Sequence, residues 1–188
     1  MKEKHLQEIA RNAKKVSYEL AALSSRIKND ALVKMAAALT RASGEILRAN
    51  KKDMEVNKGL SPALIDRLCV NKSRINLMAE SLLQVASLKD PVGEVMAGWH
   101  RPNGLWIQKV RVPIGVVGII YESRPNVTSD CVGLCLKSGN VCILKGGKEA
   151  RATNWAIYSI LNTAAKKAGI PEGAINFIDT AHRSALNY

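Results

Sequence analysis

The chain has 188 residues, 47% of them hydrophobic, a net charge of +12, four cysteines and one phenylalanine. That length buries a core without disulfides or metals, and the longest apolar run, the ten residues 112–121, falls well short of the roughly 20 a membrane span needs. The charged start MKEKHLQEIARNAKK has no signal-peptide core, so a cytoplasmic protein with no membrane partner is expected.

The basic excess is diffuse, 17 basic against 10 acidic residues in 1–90 and 11 against 6 in 91–188. Aromatic stacking platforms for single strands are too few to predict nucleic-acid binding. An anionic small substrate or cofactor would use a few of the cations.

Leu6, Ile9, Ala13, Val16, Leu20, Leu23 and Ile27 recur at spacings of three and four, which predicts one long amphipathic helix. The pattern breaks at Asn29-Asp30, where Asp30 reads as the N-cap of a second helix carrying Leu32, Met35, Ala36, Leu39 and Ile46. Ser61-Pro62 opens a short third helix. Ile75, Met78, Ala79, Leu82, Val85 and Ala86 mark a fourth, ending near Asp90-Pro91. Residues 91–112 read as a hairpin with Asn103-Gly104 at its tip, and suggest an oligomerisation arm. His100 reads as a surface residue of that tip, and His182 has no visible partner.

From Ile114 onward the order is strand, helix, strand, helix, strand: about 115–121, 128–137, 141–144, 150–168 and 174–178. Gly139 suits a left-handed position after the first of these helices. In such a βαβ layout, ligands sit at the carboxyl ends of the parallel strands. Two segments lie there. The turn Tyr121-Glu-Ser-Arg-Pro-Asn-Val-Thr128 offers Arg124 as either a clamp for phosphate or carboxylate or a surface ion pair with Glu122, and Asn126 as either a turn residue or an amide aimed at an oxyanion. Lys145-Gly146-Gly147-Lys148 offers two cations, with two glycines that permit close approach. Neither a Walker A motif nor GxGxxG is present. The spacing of Cys131, Cys135 and Cys142 is not a standard zinc pattern, and buried reduced thiols are expected there.

The strings YESRPNVT and LCLKSGNVCILKGGKEA, with NKGLSPALIDRL, DPVGEV, RPNGLWIQKVRVPIGVVGIIYE and AGIPEGAINFI, cover most of the chain. In them the sequence resembles the γ-glutamyl phosphate reductase (glutamate-5-semialdehyde dehydrogenase) family, a branch of the aldehyde dehydrogenase superfamily. The resemblance implies an α/β fold: an aldehyde-dehydrogenase-like, Rossmann-type nucleotide-binding domain over 113–188, preceded by a mainly helical 1–90 and the hairpin arm. It implies NADPH as cofactor and a small-molecule substrate, L-glutamyl 5-phosphate, reduced to the semialdehyde in proline biosynthesis, with a homo-oligomer as the full-length state. Lys145, Gly146, Gly147 and Lys148 then fall in the cofactor site, Arg124 on the substrate, and Asn126 on the oxyanion. Lys148 departs from the small hydroxyl residue expected there.

Members of that family run to roughly twice this length, and none of the four cysteines matches the nucleophile. The expectation is an N-terminal part of the enzyme, truncated, without its catalytic domain and inactive alone. A non-catalytic nucleotide-binding or interaction module, and a dehydrogenase for another aldehyde, are the alternatives.

Overall fold

The computed structural model describes residues 3–180, so His182 lies outside the described residues. The predicted long first helix is two. α1 spans Glu3–Ala21, and α2, Ser25–Arg41, starts after Ser24, whose hydroxyl accepts from the Ile27 N–H. Ala22 and Leu23 bridge the two with tight turns that keep the apolar stripe in phase, which is why periodicity did not reveal the break. Asp30 is therefore no cap. It lies inside α2 and pairs with Lys34 one turn on. The second predicted helix also divides, at Ala42, into α2 and α3 (Ser43–Val56). α4 (Pro62–Leu68) starts on proline as expected, and Asn71 caps α5 (Lys72–Ser87) by accepting from the Arg74 N–H. No helix among the described residues is long and apolar enough to cross a membrane.

The strands β1 (Val95–His100) and β2 (Trp106–Val110) form an antiparallel hairpin that pairs Trp99 with Ile107 and His100 with Trp106. Its tip closes through Arg101 and Leu105, with Gly104 at φ +84°. The His100 ring lies against the Trp106 indole, centroids 4.4 Å apart.

A three-stranded parallel sheet follows, in the order β3 (Val116–Ile120), β4 (Val141–Lys145), β5 (Ile175–Phe177). The connections are α6 (Asn126–Lys137) and α7 (Arg151–Lys167). α6 begins two residues earlier than the sequence suggested, because Pro125 already holds helical angles. Gly139, at φ +72°, turns the chain from α6 into β4, where an added Cβ would lie 2.9 Å from Pro113. Four of the five residues of β4 are buried, as suits the central strand of a parallel sheet. α1 and α6 both pack on it, and α2 links α5, α6 and α7. One core joins Leu20, Leu32, Met35, Leu136, Leu144 and Leu161.

Buried charge gathers beneath the root of the hairpin. Lys28, on the buried face of α2, has no exposed surface and places its ammonium 2.5 Å from an Asp90 carboxylate oxygen. Ser25 and the Val92 N–H also donate to Asp90, at 2.7 and 3.0 Å. Beside them, Lys137 at the end of α6 donates to Asn29 and to the Ala86 carbonyl. The knot joins α2, the ends of α5 and α6, and the root of the hairpin.

Candidate functional site

The parallel strands β3 and β4 end side by side, and the two segments singled out in the sequence sit on their carboxyl edge. They line two different clefts. Lys145, Gly146, Gly147 and Lys148 line a cleft of about 900 Å³ together with Tyr121, Glu122 and Ser123. Arg124 and Asn126 line a second cleft, of about 330 Å³, whose other wall is built from α4 and α5.

In the larger cleft the Lys145 side chain is largely buried and donates to the Thr180 carbonyl at 3.2 Å. The Gly146 and Gly147 N–H groups donate to no described residue. Lys148 is exposed and opens a short 3₁₀ turn into α7. Glu149 holds the turn from inside. Its carboxylate accepts from the Ser123 hydroxyl at 3.2 Å, and its carbonyl accepts from Asn57 of α3.

The N-terminus of α7 is capped in trans. Asp53 of α3, which is buried, accepts from the N–H groups of Ala152 and Thr153 at 3.1 and 2.7 Å and from the Thr153 hydroxyl at 2.6 Å. A carboxylate at a helix start offsets both orphan donors and the positive end of the helix dipole. Asn50, one turn earlier on α3, ties Thr153 to the Leu68 carbonyl and the Val70 N–H. These residues were not singled out in the sequence, where nothing near them in the chain marks a helix start a hundred residues later.

Behind the glycines lies a buried polar chain. The Tyr121 hydroxyl is 2.7 Å from that of Thr128, which donates to the Asn154 carbonyl oxygen at 3.2 Å. Burial pushes the Tyr121 phenol well above its usual range, so it stays protonated. The Asn154 Nδ2 is fully buried with no hydrogen-bond partner among the described residues, and a Cβ on Gly146 would clash with it. Thr128 holds the amide on its oxygen side. Gly146→Ala should therefore displace the turn and cost about 1–3 kcal/mol. The check is the urea midpoint. Asn154→Ala in the same chain should recover most of the loss, since it removes the obstructing amide.

In the smaller cleft, Arg124 is exposed and makes no ion pair among the described residues. Asn126, the first residue of α6, is exposed and donates to the half-buried Asp130 carboxylate at 3.2 Å. Burial raises the Asp130 carboxyl, and the Asn126 amide pulls partly the other way. Across the cleft, Arg74 is anchored to Asp66 and to the Cys69 carbonyl.

The four cysteines are unpaired. Cys135 and Cys142 are buried beside each other, and the shared hydrogen bond together with burial raises Cys142. Burial pushes the Cys131 thiol up to about 11. Nucleophilic thiols need a lowered pKa in an electropositive, partly open setting; Cys131 and Cys142 are raised, and Cys135, which the hydrogen bond with Cys142 lowers, is buried in the core.

Together, a βαβαβ sheet, a lysine-glycine turn at its carboxyl edge and a projecting hairpin define a mixed α/β dehydrogenase fold. The chain matches the aldehyde dehydrogenase family over residues 1–188 and belongs to it. Within that family it is similar to γ-glutamyl phosphate reductases. That of Heliobacterium modesticaldum is 55% identical over 175 residues, 92% of this chain and 42% of the relative. That of Syntrophomonas wolfei is 50% identical over 188 residues, 99% of this chain and 45% of the relative. The crystal structure of the Thermotoga maritima γ-glutamyl phosphate reductase superposes with a TM-score of 0.92 at 45% identity, over 95% of this chain and 44% of that one. The Saccharomyces cerevisiae enzyme gives 0.89 at 34% identity, over 99% and 48%. The chain thus spans less than half the length of the relatives it matches, and corresponds to their N-terminal part.

Proposed function

We propose that these residues form the cofactor-holding, N-terminal part of an NADPH-dependent reductase that converts L-glutamyl 5-phosphate to L-glutamate 5-semialdehyde and phosphate. The observation that carries this reading is the turn after β4. There Lys145 and Lys148 flank two glycines whose N–H groups have no acceptor among the described residues, beside a cleft of about 900 Å³. Such a turn fits the anionic, ribose-bearing end of a dinucleotide. A Cβ at Gly147 would lie 2.9 Å from Glu149 and 3.2 Å from the Glu122 backbone, so the cradle excludes side chains.

NADPH, when bound, supplies the hydride. Everything else attributed to this chain is binding and orientation. The Lys145 ammonium exchanges the Thr180 carbonyl for ribose or 2′-phosphate oxygens. Arg124 takes an anionic group of the substrate. The Asn126 amide, turned from Asp130, donates to the oxyanion formed when a thiol adds to the substrate carbonyl. The attacking thiolate comes from outside these 188 residues, because Cys131 and Cys142 are raised and Cys135 is buried against Cys142 in the core. On this reading 113–188 is the Rossmann-type part of a partial NADP-binding domain, and the hairpin 91–112 serves as an oligomer arm.

The test is NADPH titration of the purified chain, followed by nucleotide fluorescence. Lys145→Ala should weaken NADPH roughly ten- to hundredfold, the worth of about 1.5–3 kcal/mol for a charge-assisted hydrogen bond. In the polypeptide extended to the length of its relatives, Asn126→Ala should lower kcat and leave cofactor affinity unchanged, since an oxyanion contact acts in the transition state. An unchanged NADPH affinity in Lys145→Ala would remove the basis for this assignment.

A further inference from the structure

The smaller cleft carries charges that no described residue pairs with. Asp66 and Arg74 neutralise each other on its far wall. Arg124 and Asp130, which face the cleft from the start of α6, have no opposite charge among the described residues. Asp130 is half-buried, and among the described residues its carboxylate accepts only from the neutral amide of Asn126. Arg67, reaching in from the end of α4, is likewise without an ion pair among the described residues. A half-buried carboxylate without a counter-ion is costly, and guanidinium groups facing the same space do not turn to it. The cleft, of about 330 Å³, therefore presents an anion and cations that are unpaired among the described residues.

A ligand that satisfies both must bring an ammonium and a carboxylate within a few ångströms of each other, which is the chemistry of an α-amino acid. We propose that this cleft reads the α-amino-acid end of the substrate, with Asp130 accepting from its ammonium, Arg124 pairing with its α-carboxylate, and Arg67 reinforcing the second contact. The inference rests on the reductase reading and adds to it the residues that distinguish an amino-acid acyl phosphate from a plain one. The arginine fork suits a planar carboxylate in two-point contact. The Asp130 carboxylate, already fixed by Asn126, needs no reorganisation to accept from a cation. Because Asn126 spans from Asp130 toward the cleft, recognition of the ammonium and orientation of the amide are coupled. A substrate without the ammonium leaves Asn126 tied to an unneutralised carboxylate.

The test uses the 188-residue chain, ¹⁵N-labelled, and follows amide shifts at residues 124–131 during titration with three compounds. These are L-glutamate, glutarate, which lacks the ammonium, and 4-aminobutyrate, which lacks the α-carboxylate. L-glutamate should shift these amides saturably, with a Kd at least tenfold below either analogue. Asp130→Asn should abolish the preference over glutarate, and Arg124→Gln the preference over 4-aminobutyrate, with the remaining amide signals unmoved. Equal affinity for L-glutamate and glutarate, or no saturable shift at 124–131, overturns the proposal. The analogue series on the unaltered chain decides this even where a variant fails to fold. NADPH, titrated in parallel, should shift residues 145–149. NADPH binding without L-glutamate discrimination defeats only this inference, whereas loss of NADPH binding defeats the cofactor reading beneath it.

Discussion

Asp90→Ala is expected to destabilise the chain by about 3–5 kcal/mol, the usual consequence of removing one partner from a buried ion pair. The carboxylate is the counter-charge of Lys28, whose side chain is wholly enclosed by α2 and its neighbours. Without it, a buried ammonium must either stay charged in an apolar setting or give up its proton. Lys28→Met combined with Asp90→Asn should recover most of the loss, because an apolar replacement of similar volume removes the charge with its partner.

The same pair predicts a pH dependence. Burial would raise the Asp90 carboxyl, but Lys28, Ser25 and the Val92 N–H outweigh it and hold it below its usual value. A folded pKa below the unfolded one adds stability above the unfolded value, about 3.9. That stability is lost as pH falls through the lower folded value. Urea midpoints should therefore drop between pH 5 and pH 3 in the parent chain. The Asp90→Asn chain, already weaker at pH 7, should lose less over that interval. An equal drop in both would assign the acid sensitivity to other carboxylates.

The second large effect is at Asp53. Asp53→Ala should cost about 3 kcal/mol, since it leaves two N–H groups at the start of α7 and the Thr153 hydroxyl without their charged acceptor. The cap also sits directly behind the Lys145–Glu149 turn, which α3 holds a second time through Asn57. NADPH affinity should therefore fall along with the unfolding midpoint, unlike in Lys145→Ala, where affinity falls and stability holds. Asp53→Asn, keeping one acceptor oxygen, should lie between. A midpoint unchanged in Asp53→Ala would show that α7 begins without it.

What the sequence showed and what it hid divide along one physical line. Local signals were legible. Ser61-Pro62, Asn103-Gly104 and Gly139 each mark a turn or helix start through their own backbone preference, and the structure places a boundary at each. Lys145-Gly146-Gly147 was visible because glycine at a strand end has few other uses. Helix breaks without glycine or proline were not legible. Leu23 and Ile27 keep the stripe across the Ala22–Ser24 break, and Ala42 interrupts the backbone without changing composition. The supporting residues were hidden for another reason. Asp53 acts on residues 152 and 153, and Asn154 acts against Gly146 and Thr128, contacts that exist only after the sheet and helices have packed. Asp130 belongs with them. A lone acid on a helix signals nothing until the cleft shows that no cation answers it.

The hairpin has a further consequence. At its root, the Gly93 N–H donates to the Arg111 carbonyl and the Arg111 N–H to the Glu94 carbonyl, beside the Asp90 anchor, while the strands beyond carry almost no buried side chains. A two-stranded ribbon without a covering layer is barely stable on its own, so its amides should open without the rest of the molecule. In deuterated buffer the chain should record this as a gradient of exchange. Protons at Trp99 to Ile107 should be replaced first, those near Arg111 more slowly, and those of Cys142 to Leu144 only on global unfolding.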